Sequence, residues 1–182
     1  MITLRKVDKR NIWSIVRLKV HDEQQSFVAT NTESMLQAYT TMTEGGVALP
    51  FGIYDEESLI GFVMFGYGRQ EESDPPIAQN NYSIWRFMID KAWQGKGLGK
   101  QALQTAIDFV KTMPCGKAEF VWLSYEAENT AAGALYYAAG FREIAPWGNR
   151  PVATTDPKYG SVLVAVRAIW RTAGAGDVTG GR

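Results

Sequence analysis

Hydrophobic and polar residues follow each other along the chain in patterns that predict strands and helices in mixed order. Alternation and short apolar runs predict strands at residues 2–7, 51–54, 59–65, 82–90, 119–124, 141–144 and 162–169. Apolar positions at helical spacing predict helices at residues 8–21, 32–44, 98–113 and 129–138. This order predicts an α/β (α+β) fold, with a mixed central β-sheet packed against helices.

Three of these elements have distinctive apolar patterns. The segment 82–90 is apolar on both faces, as expected of a strand in the middle of a sheet. The first helix is predicted to begin at a cap, Asp8, and to bury a stripe made of Ile12, Ile15, Val16 and Val20. The second helix is predicted from the spacing of Met35, Leu36, Tyr39 and Met42, and it stops at Gly45 and Gly46.

The length of 182 residues suits one domain with a substantial core. We assign residues 1–170 to that domain. Residues 171–182 are rich in glycine and poor in large apolar side chains, which predicts a flexible tail. A loop that holds Pro146, Pro151 and Pro157 is expected to join the last two strands.

Charge and composition exclude several classes of function. The 19 basic and 19 acidic residues cancel, so no net field attracts nucleic acid or an anionic membrane. Cys115 and His21 are the only residues of their types, which excludes an internal disulfide and makes a metal site improbable. The chain lacks a long apolar run and an apolar stretch at its start, so we expect a cytoplasmic protein that contacts neither nucleic acid nor membrane.

A glycine-rich turn between the central strand and the third helix carries the main chemical signal. Gly95, Gly97 and Gly99 let backbone amides approach a ligand, and the helix that follows begins with partial positive charge. Such a turn can bind phosphate, although a tight strand-to-helix connection needs similar glycines. The spacing matches neither a P-loop nor a dinucleotide-binding fingerprint.

The turn resembles the pyrophosphate-binding signature Q/R-x-x-G-x-G/A of the GNAT acetyltransferase superfamily, matched by Gln94, Gly97 and Gly99. A second element of that family, N-x-x-A-x-x-L-Y-x-x-x-G-F, is matched downstream by Asn129, Ala132, Leu135, Tyr136, Gly140 and Phe141. The resemblance covers roughly residues 2–169. It implies a GNAT fold whose two central strands splay apart, and acetyl-CoA as co-substrate without a metal.

Within the superfamily, the chain is most similar to the bacterial diamine and polyamine (spermidine/spermine) N-acetyltransferases. The similar segments are residues 23–28, 50–54, 61–64 and 85–90. Trp85 departs from the pattern, because some polyamine acetyltransferases have a carboxylate there. The resemblance implies transfer of an acetyl group to a primary amine of a small molecule, with a diamine or polyamine favoured.

The resemblance also implies which residues bind acetyl-CoA. Phe87, Met88 and Ile89 would hold the pantetheine arm and the acetyl group. The pyrophosphate would lie against Gln94, Gly95, Lys96, Gly97, Leu98, Gly99 and Lys100, with charge supplied by the two lysines. Asn129 would bind the pantetheine or the loop, while helix capping explains this residue almost as well.

Catalytic roles follow from the same resemblance. Tyr136 would give a proton to the departing thiolate. An alkylammonium must first lose a proton, and Glu23 is the candidate that would bind the cation or accept this proton. Gln24 and Trp85 would also contact the substrate.

The identity of the base remains open, because Glu23 also fits a surface carboxylate. The other candidates have simpler interpretations. Asp90 is interpreted as the end of a strand, Glu126 and Glu128 as loop residues, and His21 as structural or solvated.

Two alternatives to polyamine acetylation remain open at this point. The acceptor is another amine, such as an aminoglycoside or an amino acid, or the fold binds acyl-CoA without turnover. The sequence also leaves the choice between a monomer and a homodimer open.

Overall fold

The computed structural model describes residues 1–68, 74–144 and 162–169, and within them seven strands form one sheet in the order β1-β2-β3-β4-β5-β7-β6. The predicted proline-bearing loop and the predicted tail at 171–182 lie outside the described residues. Among those residues, no helix is long and apolar enough to cross a membrane.

Antiparallel pairing builds the first half of the sheet from β1 (Ile2–Lys6), β2 (Ala48–Asp55), β3 (Ser58–Tyr67) and β4 (Tyr82–Ile89). The strands predicted at 51–54 and 59–65 belong to β2 and β3, which form a hairpin with Glu56 at a φ of 53° in its tight turn. The register of β3 and β4 shifts by one residue, so that Met64 pairs with Arg86 and Phe65 pairs with Ile84. Trp85 is therefore the extra residue of a β-bulge.

The second half of the sheet contains β5 (Phe120–Glu126), β7 (Val162–Ala168) and the short β6 (Arg142–Glu143), joined by antiparallel pairs. The two halves meet where β4 and β5 run parallel. That pairing comprises only Tyr82 with Val121 and Ser83 with Trp122. Beyond these two pairs the strands separate, which confirms the predicted splay and leaves their facing backbone edges unpaired with each other.

A buried asparagine fixes the point from which the strands separate. The Asn81 Oδ1 accepts hydrogen bonds from the backbone N–H of Glu119 (3.0 Å) and Phe120 (2.8 Å). Its Nδ2 donates to the carbonyl oxygens of Ile77 (2.9 Å) and Gln79 (3.3 Å). The start of β5 is therefore tied to the start of β4, and the opening lies toward the carboxyl ends of both strands.

Helices cover both faces of the sheet. On one face, α3 (Leu98–Lys111) and α4 (Thr130–Ala138) pack on a core of 21 buried residues that includes Phe65, Ile84 and Leu123. On the other face, α1 (Ile12–Ile15) and α2 (Asn31–Thr43) cover a smaller core that includes Phe62 and Met88. The sheet thus has a core on each side, as the apolar pattern of β4 predicts.

The structure corrects two predictions about the first helices. The helix predicted at residues 8–21 spans only Ile12–Ile15, because the chain continues through turns after Ile15. Its N-cap position is Asn11 and not Asp8. The helix predicted at 32–44 is confirmed, but its apolar side is not its buried side. Leu36 and Tyr39 are 63% and 65% exposed, whereas Ser34 and Ala38 are buried against the sheet.

Candidate active site

A cleft of about 810 Å³ passes through the sheet where β4 and β5 separate, and residues from both faces line it. The turn after α1, helix α2 and the carboxyl ends of both strands contribute one group of lining residues. The glycine-rich turn and α4 contribute the other. The polar and aromatic lining includes Gln24, Phe27, Glu33, Gln37, Trp85, Arg86, Phe87, Gln94, Ser124, Tyr125, Glu126, Asn129 and Tyr136.

The glycine-rich turn has a backbone that only glycine adopts readily. Gly95 and Gly97 have φ values of 74° and 73°, in the left-handed region, and Gly97 is the N-cap of α3. No atom lies within 4 Å of the position that a Cβ would take at either residue. The first amides of α3 have no partner within the helix and carry its positive end. This combination of free donors and open space fits the pyrophosphate predicted here.

Gln94 connects the glycine-rich turn to its surroundings. Its Nε2 donates to the carbonyl oxygen of Ile89 (2.9 Å) at the end of β4 and to Oε1 of Gln24 (2.8 Å) in the turn after α1. Both side chains line the cleft. Gln94 therefore braces the two loops that border the cleft, in addition to belonging to the predicted phosphate signature.

The two lysines of the turn lie outside the cleft lining. The Lys96 ammonium donates to the carbonyl oxygen of Ala92 (2.9 Å) and lies 4.7 Å from the centroid of the Trp93 ring. Lys100 is exposed in the first turn of α3. Within the turn, Gln94, Gly95 and Gly99 line the cleft, whereas Gly97, Leu98 and both lysines do not.

Strand alternation decides which side chains meet in the opening. Val121, Leu123 and Tyr125 of β5 belong to the core under α3. Since side chains alternate along a strand, Ser124 and Glu126 lie on the opposite face, toward α2. Trp85 and Met88 pack with the core on that same face, and the bulge places Trp85 there. We call this part of the cleft lining, formed by Trp85, Ser124, Glu126 and the cleft residues of 24–37, the acceptor face.

Glu126 is a partly buried carboxylate on the acceptor face. Burial raises the pKa of Glu126 and the charge of Glu128 raises it further, while a hydrogen bond from the residue's own backbone N–H and the Arg86 guanidinium lower it. No ion pair to Glu126 forms among the described residues. A carboxylate with a raised pKa in a cleft is a chemically useful group, because it holds and releases protons closer to neutral pH.

Tyr136 lies on α4, on the opposite side of the opening from the acceptor face. Its ring meets the rings of Tyr125 and Phe141 edge to face, at centroid distances of 5.4 and 6.0 Å. Burial and the neighbouring Glu126 charge hold the pKa of Tyr136 well above its usual value. The hydroxyl has no hydrogen-bond partner within the described part of the chain, so it is available to donate a proton into the cleft.

Tyr125 has a different role from its neighbour. Its hydroxyl donates to Oε1 of Glu143 (2.7 Å), and burial together with this carboxylate raises the pKa of Tyr125 to about 12. The hydroxyl is therefore committed to a hydrogen bond that links β5 to β6, the two strands on either side of β7. Of the two tyrosines that line the cleft, Tyr136 alone has an uncommitted hydroxyl among the described residues.

The remaining predicted site residues fall into two groups. Phe87, Met88 and Ile89 line the cleft from β4, as do Gln24 and Trp85. Asn129 also lines it, and its Oδ1 accepts from the N–H of Ala132 (3.2 Å), so that it caps α4. In contrast, Glu23 is exposed in the turn after α1 and does not line the cleft.

Sequence reasoning missed Glu126 and Glu33. Because the predicted strand ended at Ser124, Glu126 was interpreted as a loop residue, whereas β5 continues to Glu126. A strand two residues longer, with its alternation continued, would have placed this carboxylate beside the opening. Glu33 forms a capping box with Thr30, which its sequence spacing signals, but its place at the cleft depends on how α2 packs.

The described residues contain no group of three or more side chains that could hold a metal ion. The polar groups that line the cleft are carboxylates, phenols, amides, hydroxyls and one guanidinium. These groups can bind an anion at the glycine-rich turn, attract a cation on the acceptor face and exchange protons between the two.

Comparisons with known proteins identify the family and relatives of the chain. Residues 12–141 match the Acetyltransferase (GNAT) family. The chain is 32% identical to a spermine/spermidine N(1)-acetyltransferase from Bacillus subtilis (strain 168), over 78% of this chain and 88% of the relative.

Solved structures of low sequence identity share the fold. A spermidine N-acetyltransferase from Vibrio cholerae in complex with CoA and spermine superposes with a TM-score of 0.64 at 19% identity, covering 92% of this chain and 95% of that one. An aminoglycoside acetyltransferase in complex with coenzyme A superposes with a TM-score of 0.67 at 16% identity, covering 92% and 95%.

Proposed function

The chain belongs to the GNAT acetyltransferase family, and from this membership we propose that it transfers the acetyl group of acetyl-CoA to a primary amine of a diamine or polyamine. The N-acetyltransferase activity and the use of acetyl-CoA follow from the family. The choice of acceptor is our proposal. It is supported by the relative that is named for spermine and spermidine and by the carboxylates of the acceptor face.

The coenzyme fits one side of the cleft. The amides at the start of α3 would bind the pyrophosphate, since Gly95 and Gly97 leave open space beside them. The unpaired edges of β4 and β5 would bind the amide groups of the pantetheine arm, which enters the opening between the strands. Acetyl-CoA supplies an activated thioester, and the residues around the opening position it and move protons.

The acceptor face suits a flexible cationic amine. Glu33 and Glu126 bring two carboxylates to the cleft, and Trp85 and Phe27 bring aromatic side chains that attract cations and cover methylene groups. Ammonium groups separated by apolar segments match this alternation of charge and aromatic surface. The observation that carries the proposal is the carboxylate Glu126 beside the opening, on the face opposite Tyr136.

Tyr136 is proposed as the acid for the leaving group. The thiolate of coenzyme A is a poor base but still needs a donor as the C–S bond breaks. The Tyr136 hydroxyl is uncommitted among the described residues. It is protonated at neutral pH, as any tyrosine with a pKa of about 10 or higher is, and its raised pKa extends the protonated form to more basic pH. It thus supplies the proton on the coenzyme side of the opening.

One observation favours a second class of acceptor. Arg86 also lines the cleft, and its Nη2 donates to Oε1 of Gln37 (2.7 Å) on α2. A guanidinium repels a polycation and attracts a carboxylate. An amine that also bears a carboxylate, such as an amino acid, is therefore the alternative acceptor.

A substrate panel tests the proposal. Release of free coenzyme A thiol is measured for the full chain with acetyl-CoA and with putrescine, spermidine, spermine, an aminoglycoside or single amino acids. We expect the highest kcat/KM with a polyamine. A higher kcat/KM with amino acids would support the alternative acceptor. Binding of acetyl-CoA without turnover of any amine would contradict both proposed acceptors.

A further inference from the structure

The proposed function leaves one proton-transfer role unassigned, that of the base for the acceptor amine. Resting on the proposed function, we propose that Glu126 contacts the acceptor ammonium and receives the proton that the nitrogen loses before it attacks the thioester. Glu126 would be the catalytic base of the transfer. Glu23, the residue favoured by sequence, would have no part in the chemistry.

The position of Glu126 supports this role. It is the last residue of β5, where the two strands are already separated, and it lies on the α2 face because Tyr125 packs in the opposite core. Tyr136 approaches the same opening from α4. A base on the acceptor face and an acid on the coenzyme face would border the reacting carbonyl from its two sides.

The charges around Glu126 support the role as well. Burial raises its pKa, Glu128 from the β5–α4 loop adds to that effect, and Arg86 from β4 opposes it. In turn the Glu126 charge raises the pKa of Tyr136, so the two groups interact across the opening. A raised carboxyl pKa lies closer to that of an alkylammonium, near ~10, which lowers the cost of moving the proton.

The other carboxylates near the cleft have different surroundings. Glu33 is held in a capping box, where its Oε2 accepts from the N–H (2.8 Å) and the hydroxyl (2.7 Å) of Thr30. Glu23 and Glu128 are exposed and do not line the cleft. Glu126 is thus the carboxylate of the described chain that combines burial with a place at the opening.

The proposed step balances in atoms and charge. The ammonium gives one proton to the Glu126 carboxylate, and the neutral nitrogen attacks the thioester carbonyl carbon to form the C–N bond. As the C–S bond breaks, the sulfur takes the Tyr136 proton, and the second proton of the nitrogen restores the tyrosine hydroxyl. The proton on Glu126 passes to water, so the products are the amide, the free thiol and one released proton.

The test compares Glu126→Gln, which keeps the shape of the side chain, with Glu119→Gln, which removes the same charge at an exposed position just before the other end of β5, outside the cleft lining. We expect Glu126→Gln to lower kcat by about 100-fold or more with the preferred amine. Acetyl-CoA affinity, measured by calorimetry, should change by less than about threefold because Glu126 lies on the acceptor face. Glu119→Gln should retain the wild-type kcat.

The pH profile gives a readout that a packing role would not change. Wild-type kcat/KM should fall as the pH decreases through the pKa of Glu126, since the protonated carboxyl cannot accept a proton. This acid limb should lie above the ordinary value of about 4.3 and should disappear in Glu126→Gln. Glu126→Asp, which retains a carboxylate, should keep the limb and recover part of the activity.

The outcomes separate this inference from the proposed function. If the wild type acetylates an amine and Glu126→Gln matches its kcat or keeps its acid limb, the role of Glu126 is wrong and the function stands. If Glu126→Asp is as inactive as Glu126→Gln, the loss reflects packing, which also overturns the role. A wild type that binds acetyl-CoA but acetylates no amine overturns both.

Discussion

The two sides of the cleft are built in opposite ways. The coenzyme side is a short continuous stretch, Gln94 to Lys100, whose backbone amides and glycine conformations provide the binding groups. The acceptor face is assembled from side chains of β4, β5, α2 and the turn after α1. A contiguous backbone site is visible in sequence as a motif, whereas a site made of dispersed side chains depends on how its elements pack.

The same difference predicts how each side responds to substitution. Filling the space of a backbone site removes binding altogether, because no other group can replace the amides. Changing one side chain beside the opening alters a proton transfer while binding persists. Substitutions on the two sides should therefore separate coenzyme affinity from turnover.

The largest effect is expected for Gly97→Trp, which places an indole in the open space beside the turn. Acetyl-CoA at about 100 times its Kd should raise the Tm of the wild type by on the order of 5–10 °C, and this shift should vanish in the variant. Gly45→Trp is the matched control. Gly45 also has a positive φ (85°) and open space, but it follows α2 and does not belong to the glycine-rich turn. A full shift in Gly97→Trp would remove the pyrophosphate from this turn.

Tyr136→Phe should show the opposite pattern, with binding retained and turnover lost. We expect kcat to fall by about 100-fold, because the proton donor to sulfur is missing, while the Kd of acetyl-CoA changes less than about threefold. Tyr137→Phe, at an exposed position on the same helix, is the control and should retain wild-type kcat. Wild-type turnover in Tyr136→Phe would exclude the acid role.

The pH dependence of this donor follows from its surroundings. Burial and the Glu126 charge raise the pKa of Tyr136, so the protonated, donating form persists above the ordinary tyrosine value of about 10. Wild-type kcat should therefore not decrease through loss of this proton as the pH rises to about 10. A basic limb well below that value, abolished by Tyr136→Phe, would show that the pKa is not raised.

The smallest expected effect is a difference in stability between alanine substitutions at Gly97 and Gly99 of the glycine-rich turn. Gly97→Ala should lower the free energy of unfolding by about 1–2 kcal/mol, because alanine resists the left-handed conformation. Gly99→Ala should leave it unchanged or raise it by up to about 1 kcal/mol, since Gly99 is helical and a Cβ would lie 3.8 Å from Ile89 and 3.9 Å from Leu135. Chemical denaturation measures both, and equal losses would contradict this distinction.

Individual elements show how far the sequence could predict the fold. β4, α3 and α4 agree with their predictions within one or two residues, because their apolar patterns match the burial that they experience. The prediction of the first helix was wrong. Its apolar stripe suggested four helical turns, whereas the helix ends at Ile15 and Val20 is buried from a non-helical segment. Helix α2 formed as predicted but turned Leu36 and Tyr39 outward.

The candidate site shows the same division. The glycine-rich turn, its φ values and the helix behind it follow local rules, and sequence identified them. Glu126 was missed because the predicted strand ended two residues before the end of β5. Glu23 was favoured because the loop after the first helix was the expected place for an acceptor site. Neither choice could be checked without knowing which side chains reach the opening.

By itself, the sequence determined the glycine-rich turn, the strand before it and the helix after it, because each depends on interactions between residues close in the chain. Only the tertiary structure decided where β4 and β5 separate and which carboxylate lies beside the opening. Those features depend on the bulge at Trp85, the hydrogen bonds of Asn81 and the packing of α2, which join residues distant in sequence. The pattern of neighbouring residues does not determine such contacts, because they form together when the sheet and its helices pack.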